Sequence, residues 1–207
     1  MDNGLTFKAV FLMLLACLFL IRAFFARRVR RSGEEPYRVK SQALRWEGMW
    51  SLVVRGVLAL VMIGILTLHL INPGWMAWFG VRFPPLLRWI GAGLGVLSLV
   101  LLIWVQSALG RYWSTGLQLR EEHTLVTGGP YRWGRHPMYS AIFAFLVAGS
   151  LVSANWLSVL LSVGATIALY ARISKEEAMM LERFGDEYRA YTQHTGRLLP
   201  RLTRESD

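Results

Sequence analysis

Two groups of residues in this chain have the types and spacing that chemistry needs. The first is Gly129-Pro130-Tyr131-Arg132-Trp133-Gly134-Arg135-His136-Pro137-Met138-Tyr139, which sits between two long apolar runs. The second follows the later run: Glu176-Glu177, then Leu181, Phe184-Gly185, Glu187-Tyr188 and Tyr191. Arg, His, Tyr and Glu packed so densely beside apolar segments point to a polar site built on a membrane scaffold, because such groups are expensive at a bilayer edge unless they have a task. Arg135 offers a bidentate fork for a carboxylate or phosphate. It stands with His136 just before Pro137, a residue suited to the first turn of a helix, and a helix N-terminus favours anions. Arg172 and Glu176 are four apart and share a helix face. Alone they would make a surface ion pair worth under about 1 kcal/mol. Glu177, Leu181 and Phe184 form an adjacent stripe, with Glu177 at the interior edge, where an unpaired charge is costly. It therefore calls for an ammonium or hydroxyl partner.

Segment 123–130 reads as extended backbone and a turn, and free N–H and C=O groups there suit the edge of a flat heterocycle. Gly185 interrupts the helix, Glu187-Tyr188 restarts it, and Gly196 and Pro200 close the ordered tail.

The elements that must hold these residues are membrane helices. The chain has 207 residues, 54% hydrophobic, with a formal charge of +10. That charge flanks apolar runs and lines no soluble face, so anionic lipid headgroups, and not nucleic acid, are the expected partners. Cys17 is the single cysteine and lies in an apolar run, so no intrachain disulfide can form. The four histidines have no metal-ligand spacing. Runs 5–25, 50–71 and 86–109 are each long enough to cross a core of about 30 Å. The first is read as a retained span and not a cleaved signal. Run 138–171 is too long for one crossing, and Ser153-Ala154-Asn155-Trp156 divides it into a hairpin with Asn155 at the turn and Trp156 at the interface. Basic residues concentrate in 26–48, 110–137 and the tail, whereas 72–85 carries only Arg82. Five spans put all the basic regions on the cytoplasmic side of an inner, cytoplasmic membrane. Four, with 138–171 re-entering, leave the chemistry on the same side. Trp75, Trp78 and Phe79 read as interfacial anchors. Gly91, Gly93 and Gly95 read as close helix packing, with room for a cofactor as the other possibility. The expectation is an all-α polytopic membrane protein: three spans over 1–108, then a core over 109–207 with a helical hairpin and a cytoplasmic C-terminal helical segment.

The motif residues as a set resemble the membrane methyltransferases that include isoprenylcysteine carboxyl methyltransferase and phospholipid N-methyltransferases. The resemblance runs from about Leu109 to Pro200. It covers His123-x-Leu125-Val126-x-x-Gly129-Pro130-Tyr131-Arg132, Arg135-His136-Pro137-x-Tyr139, the Glu176-to-Tyr191 pattern and Arg197-x-x-Pro200. One departure is Ala141, where the family commonly has glycine. The resemblance implies an S-adenosylmethionine-dependent enzyme without a soluble Rossmann-type domain. It implies that His123, Leu125 and Val126 hold the adenosine end, and that Tyr131, His136 and Tyr139 line the pocket, with Gly129 and Pro137 also cofactor-binding. Glu176 or Glu177 would meet the ribose or methionine end, and Arg135 and Arg172 would orient an acceptor carboxylate. The implied partner is a lipophilic methyl acceptor, with isoprenylcysteine-type carboxyl O-methylation leading. Phospholipid N-methylation, small-thiol S-methylation, an NADPH-dependent sterol-reductase-like enzyme and a non-catalytic membrane protein remain open, as does oligomeric state.

Overall fold

The computed structural model describes residues 3–31, 33, 48, 49, 74–110 and 124–201, with 53, 56, 57, 59, 60, 63, 64 and 67–71 between. His123 and 10 of the 22 residues of run 50–71 lie outside the described residues. Four long helices are described: α1 (Asn3–Arg31), α2 (Pro85–Leu109), α3 (Pro137–Ser153) and α4 (Trp156–His194). Two 3₁₀ turns, Gly74–Phe79 and Gly129–Arg132, precede α2 and α3. No strand is formed among the described residues; the isolated bridges are Gly80 with Asn155 and Gly134 with Gly196. The protein is an all-α polytopic membrane protein. Helices α1, α2 and α4 are long and apolar enough to cross a membrane, and α3 is a shorter apolar helix of 17 residues.

Local chemistry sets the boundaries. Pro85 and Pro137 occupy the first turns of α2 and α3, where a missing N–H is harmless. Helix α3 ends at Ala154, whose left-handed φ of 48° turns the chain. Asn155 then caps α4, its side chain accepting from the Leu157 N–H at 2.9 Å. The segment before α2 locks this tip through the Val81 N–H to the Ala154 carbonyl (2.7 Å). Arg88 clamps the Val152 carbonyl with Nε at 3.0 Å and Nη2 at 2.7 Å. Inside the hairpin, Ser150 and Ser162 hydroxyls meet at 2.9 Å, the kind of polar contact that joins helices in lipid.

The expected division of run 138–171 into a hairpin is present, and the helix expected through Arg172, Glu176 and Phe184 joins the second arm as one continuous α4. It continues to Phe184, breaks at Gly185 (φ 51°, ψ −121°) and resumes to His194. At 1.5 Å per residue its 39 residues reach about 58 Å, twice a bilayer core, so the segment beyond 171 projects from the membrane.

Helices α1, α2 and α3 enclose the core of Phe7, Phe11, Leu14, Ala92, Leu99 and Val152, and Cys17 packs on its border. A Cβ on Gly91 would lie 2.6 Å from Leu151 Cβ, and one on Gly95 would lie 2.8 Å from Leu14 Cδ1, whereas Gly93 faces open space. Close packing therefore explains Gly91 and Gly95. Leu20, Phe24, Leu97 and Val100 stay more than half exposed, as lipid-facing side chains do. Trp78 is 86% exposed in the Gly74–Phe79 turn, as expected of an anchor.

Candidate functional site

The site forms where the turn before α3 meets the projecting part of α4 and the tail that follows it. Residues 124–127 form no regular element and bring Leu125 and Val126, both half-buried, to the extended Gly128 and the turn at Gly129. Gly129 has φ +60° and stands against the end of α2, where a Cβ would be 3.4 Å from Ala108 Cβ and 3.6 Å from Trp104 Nε1. A side chain there would be strained by the left-handed backbone, though not crowded. This packing buries Pro130 and Tyr131.

The tail then returns alongside the motif. The Arg135 N–H donates to the Gly196 carbonyl at 2.8 Å and the His136 N–H to the Arg197 carbonyl at 3.0 Å. The Ser140 hydroxyl donates to the Leu198 carbonyl at 2.6 Å, and Tyr191 Oη to the Tyr131 carbonyl at 2.6 Å. These bonds bring Arg197 against α4.

Glu177 is the hub. Arg135 Nε lies 3.0 Å from its Oε1, His136 Nε2 3.3 Å from the same oxygen, and Arg197 Nη2 2.8 Å from Oε2. Burial would raise the Glu177 carboxyl, but hydrogen bonds from His136 and Arg135, reinforced by their charge, hold it down at about 2. The expected partner was an ammonium or hydroxyl; the actual partners are two guanidiniums and an imidazole. Only groups that return from forty residues upstream or twenty downstream could supply them. Arg135 Nη1 also donates to the Thr195 carbonyl at 2.6 Å and the Thr192 carbonyl at 3.2 Å. Its fork is thus engaged by Glu177 and the tail. Arg197 Nη2 also reaches Ser174 Oγ at 2.8 Å, and its guanidinium lies 5.5 Å from the Tyr170 ring centroid.

Glu176 is placed differently. It is half-buried and accepts from Tyr139 Oη at 2.7 Å. The Tyr139 ring stands 5.7 Å from that of His136, which is 5% exposed. Arg172 lies one turn before Glu176 on α4 and is half-buried. Ala141, where the resemblance anticipates glycine, is 1% exposed, so its methyl is fully packed. Burial, then the nearby Glu176 and Tyr191, pushes the Tyr131 hydroxyl well above its ordinary range. Burial likewise raises Tyr188, and it pushes Tyr191 up to about 12. These phenols stay protonated donors and none is tuned as a base.

The structure thus brings together Tyr131, Arg135, His136, Pro137, Tyr139, Glu176 and Glu177. Arg197 was not singled out by sequence reasoning. Its one signal was the closing Arg-x-x-Pro, in a tail with several other arginines. Among the described residues, no group of three or more His, Cys, Asp and Glu is placed to hold a metal ion.

Fold and site together define a helical membrane protein whose carboxylate–guanidinium cluster stands where its last hairpin leaves the bilayer. Residues 89–182 match the isoprenylcysteine carboxyl methyltransferase (ICMT) family. It is 30% identical over 158 residues to the cobalt-zinc-cadmium resistance protein CzcN of Cupriavidus metallidurans, covering 75% of this chain and 64% of the relative. It is 29% identical over 124 residues to the protein-S-isoprenylcysteine O-methyltransferase of Dictyostelium discoideum, covering 56% and 52%. A solved structure of the eukaryotic intramembrane Ras methyltransferase ICMT superposes with a TM-score of 0.51 at 31% identity, covering 55% of this chain and 42% of that one. The chain spans less than two thirds of the length of each of these relatives.

Proposed function

We propose that this protein transfers a methyl group from S-adenosylmethionine to a lipophilic acceptor at the cytoplasmic membrane surface, with an isoprenylcysteine-type carboxylate as the acceptor. The observation that carries this reading is the convergence of Tyr131, His136, Tyr139 and Glu176 beside the Glu177 hub, inside the region that matches the family or directly following its motif.

The residues present fit the cofactor. It presents an ammonium, ribose hydroxyls, an adenine and a sulfonium. Glu176 is the carboxylate for the ammonium or ribose, because both oxygens of Glu177 are already bound to protein groups. Tyr131, His136 and Tyr139 offer aromatic faces to the adenine and the cation. Leu125 and Val126, leading into the Gly129 turn, suit the adenine edge. When bound, S-adenosylmethionine supplies an electrophilic methyl.

What this chain must add is position and dryness. The Glu177 hub holds the tail against the motif and closes the cytoplasmic side. Arg172, one turn from Glu176, holds the acceptor carboxylate. Arg135, engaged with Glu177 and two tail carbonyls, serves as a positioning residue for the same pocket. A carboxylate acceptor needs no general base, which suits the protonated tyrosines. The positive-inside bias of the basic segments supports a cytoplasmic site.

The test is binding of radiolabelled S-adenosylmethionine against NADPH, followed by transfer to N-acetyl-S-farnesylcysteine, phosphatidylethanolamine or a small thiol. Label released as methanol by alkali marks an ester, whereas label on nitrogen or sulfur survives. NADPH binding without S-adenosylmethionine binding would overturn the reading.

A further inference from the structure

Gln106 is a polar side chain of the spans that the fold leaves unexplained. It lies near the end of α2 among Leu99, Leu102 and Val105, and it is 0% exposed. Neither its Nε2 nor its Oε1 has a hydrogen-bond partner among the described residues. Native interiors rarely leave both halves of an amide unmet, and a buried polar group at membrane depth points to a ligand path.

The packing register gives its place. Gly91 meets Leu151 and Ala148, and Gly95 meets Ala148 and Leu14. Leu109 packs with Met138 against Ala26 and Val29. Helix α2 therefore runs antiparallel to α3 and parallel to α1. Counting along it, Gln106 falls level with the first turn of α3, the turn that carries His136, Pro137 and Tyr139. Trp104 and Ala108 face the Gly129 turn. Gln106, two residues from each, lies on the opposite side of the helix, toward α1. It thus adjoins the motif level from the buried face between the helices.

The amide restricts what it can recognise. Oε1 needs a donor and Nε2 an acceptor. A carboxylate would set Oε1 against a negative charge, and an ammonium would leave Nε2 unmet. A second amide offers a donor to Oε1 or an acceptor to Nε2 and brings no charge into an apolar wall.

We propose that Gln106 is a specificity-determining contact that hydrogen-bonds an amide in the polar head of the lipid acceptor, next to the carboxylate that is methylated. This rests on the methyl-transfer reading above.

Two acceptors and one variant test it. N-acetyl-S-farnesylcysteine carries an amide beside its carboxylate, and S-farnesylthiopropionate lacks it. Gln106→Leu keeps the side-chain size and removes unmet polar atoms, so its thermal midpoint should equal or exceed that of the wild type. For the amide-bearing acceptor, Gln106→Leu should lower affinity and kcat/KM at least about tenfold. For the other acceptor both should stay within about twofold, with S-adenosylmethionine affinity unchanged. Binding of each acceptor is read separately from transfer, by intrinsic tryptophan fluorescence. If the wild type binds the amide acceptor without methylating it and the variant loses that binding, the contact stands and the methyl-transfer reading falls. If the wild type methylates both acceptors and the variant weakens them equally or not at all, the contact falls alone. If neither acceptor binds the wild type, both fall.

Discussion

At the residue scale, the adjacent glutamates have separate parts. Glu177 ties Arg135, His136 and Arg197 together, and Glu176 accepts from the Tyr139 hydroxyl. Glu177→Gln should cost about 2 kcal/mol of stability, since it leaves two guanidiniums short of their counter-charge; thermal unfolding in detergent checks this. Glu176→Gln should leave the midpoint within about 1 °C and weaken S-adenosylmethionine roughly ten- to a hundredfold by calorimetry. Equal effects of the two substitutions on binding and stability would merge the roles again. The hub also sets an acid response. Glu177 ionises at about 2 in the fold, below the usual carboxylate range. Its contribution is therefore complete above about pH 4.5 and is lost as pH falls toward 2. A plot of midpoint against pH should drop across that window in the wild type and be flatter in Glu177→Gln. The sequence made the pair legible as carboxylates at a buried edge. It could not say which one faces which partner, because that is decided by Arg135 and by Arg197, a residue that nothing local distinguishes from its basic neighbours.

At the scale of elements, the punctuation was legible and the continuity was not. Pro137, Asn155 and Gly185 act on their own backbone or that of adjacent residues, so each boundary could be read locally. The joining of the 156–171 arm and the helix beyond it into one continuous α4 could not. Polarity changes there, but helix propensity does not, and a change of polarity marks where a span ends, not where a helix ends. Glycines test the packing. Gly91→Ala should destabilise by about 1–3 kcal/mol, because its methyl has no room against Leu151. Gly93→Ala faces open space and should be neutral or gain up to about 1 kcal/mol from helix propensity. Unfolding midpoints in the same detergent compare the two directly, and a destabilising Gly93→Ala would mean that the outward face is covered.

At the scale of the whole molecule, the hydropathy runs gave the span positions, and three of the described helices meet the length and composition of a crossing. The basic segments imply a direction. Reporter fusions after Arg31, Gly80, Gly110 and Arg201 should read in, out, in, in, and a cytoplasmic signal at Gly80 would reverse the assignment. The core around Leu14, Gly95 and Ala148 was beyond reach of the sequence, since it depends on which faces of three helices meet. One consequence follows from the short α3. Its 17 residues reach about 25 Å, less than a typical hydrocarbon core of about 30 Å. Its two ends are fixed, by Arg88 on Val152 and by the tail on His136. It can neither lengthen nor slide freely, so the lipid must thin around it. Thicker bilayers then load this helix at the very turn that carries the Arg-His-Pro-x-Tyr motif. Turnover in vesicles of increasing acyl-chain length should be highest in the thinnest stable bilayers and decline with thickness, which makes lipid chain length a control on the chemistry.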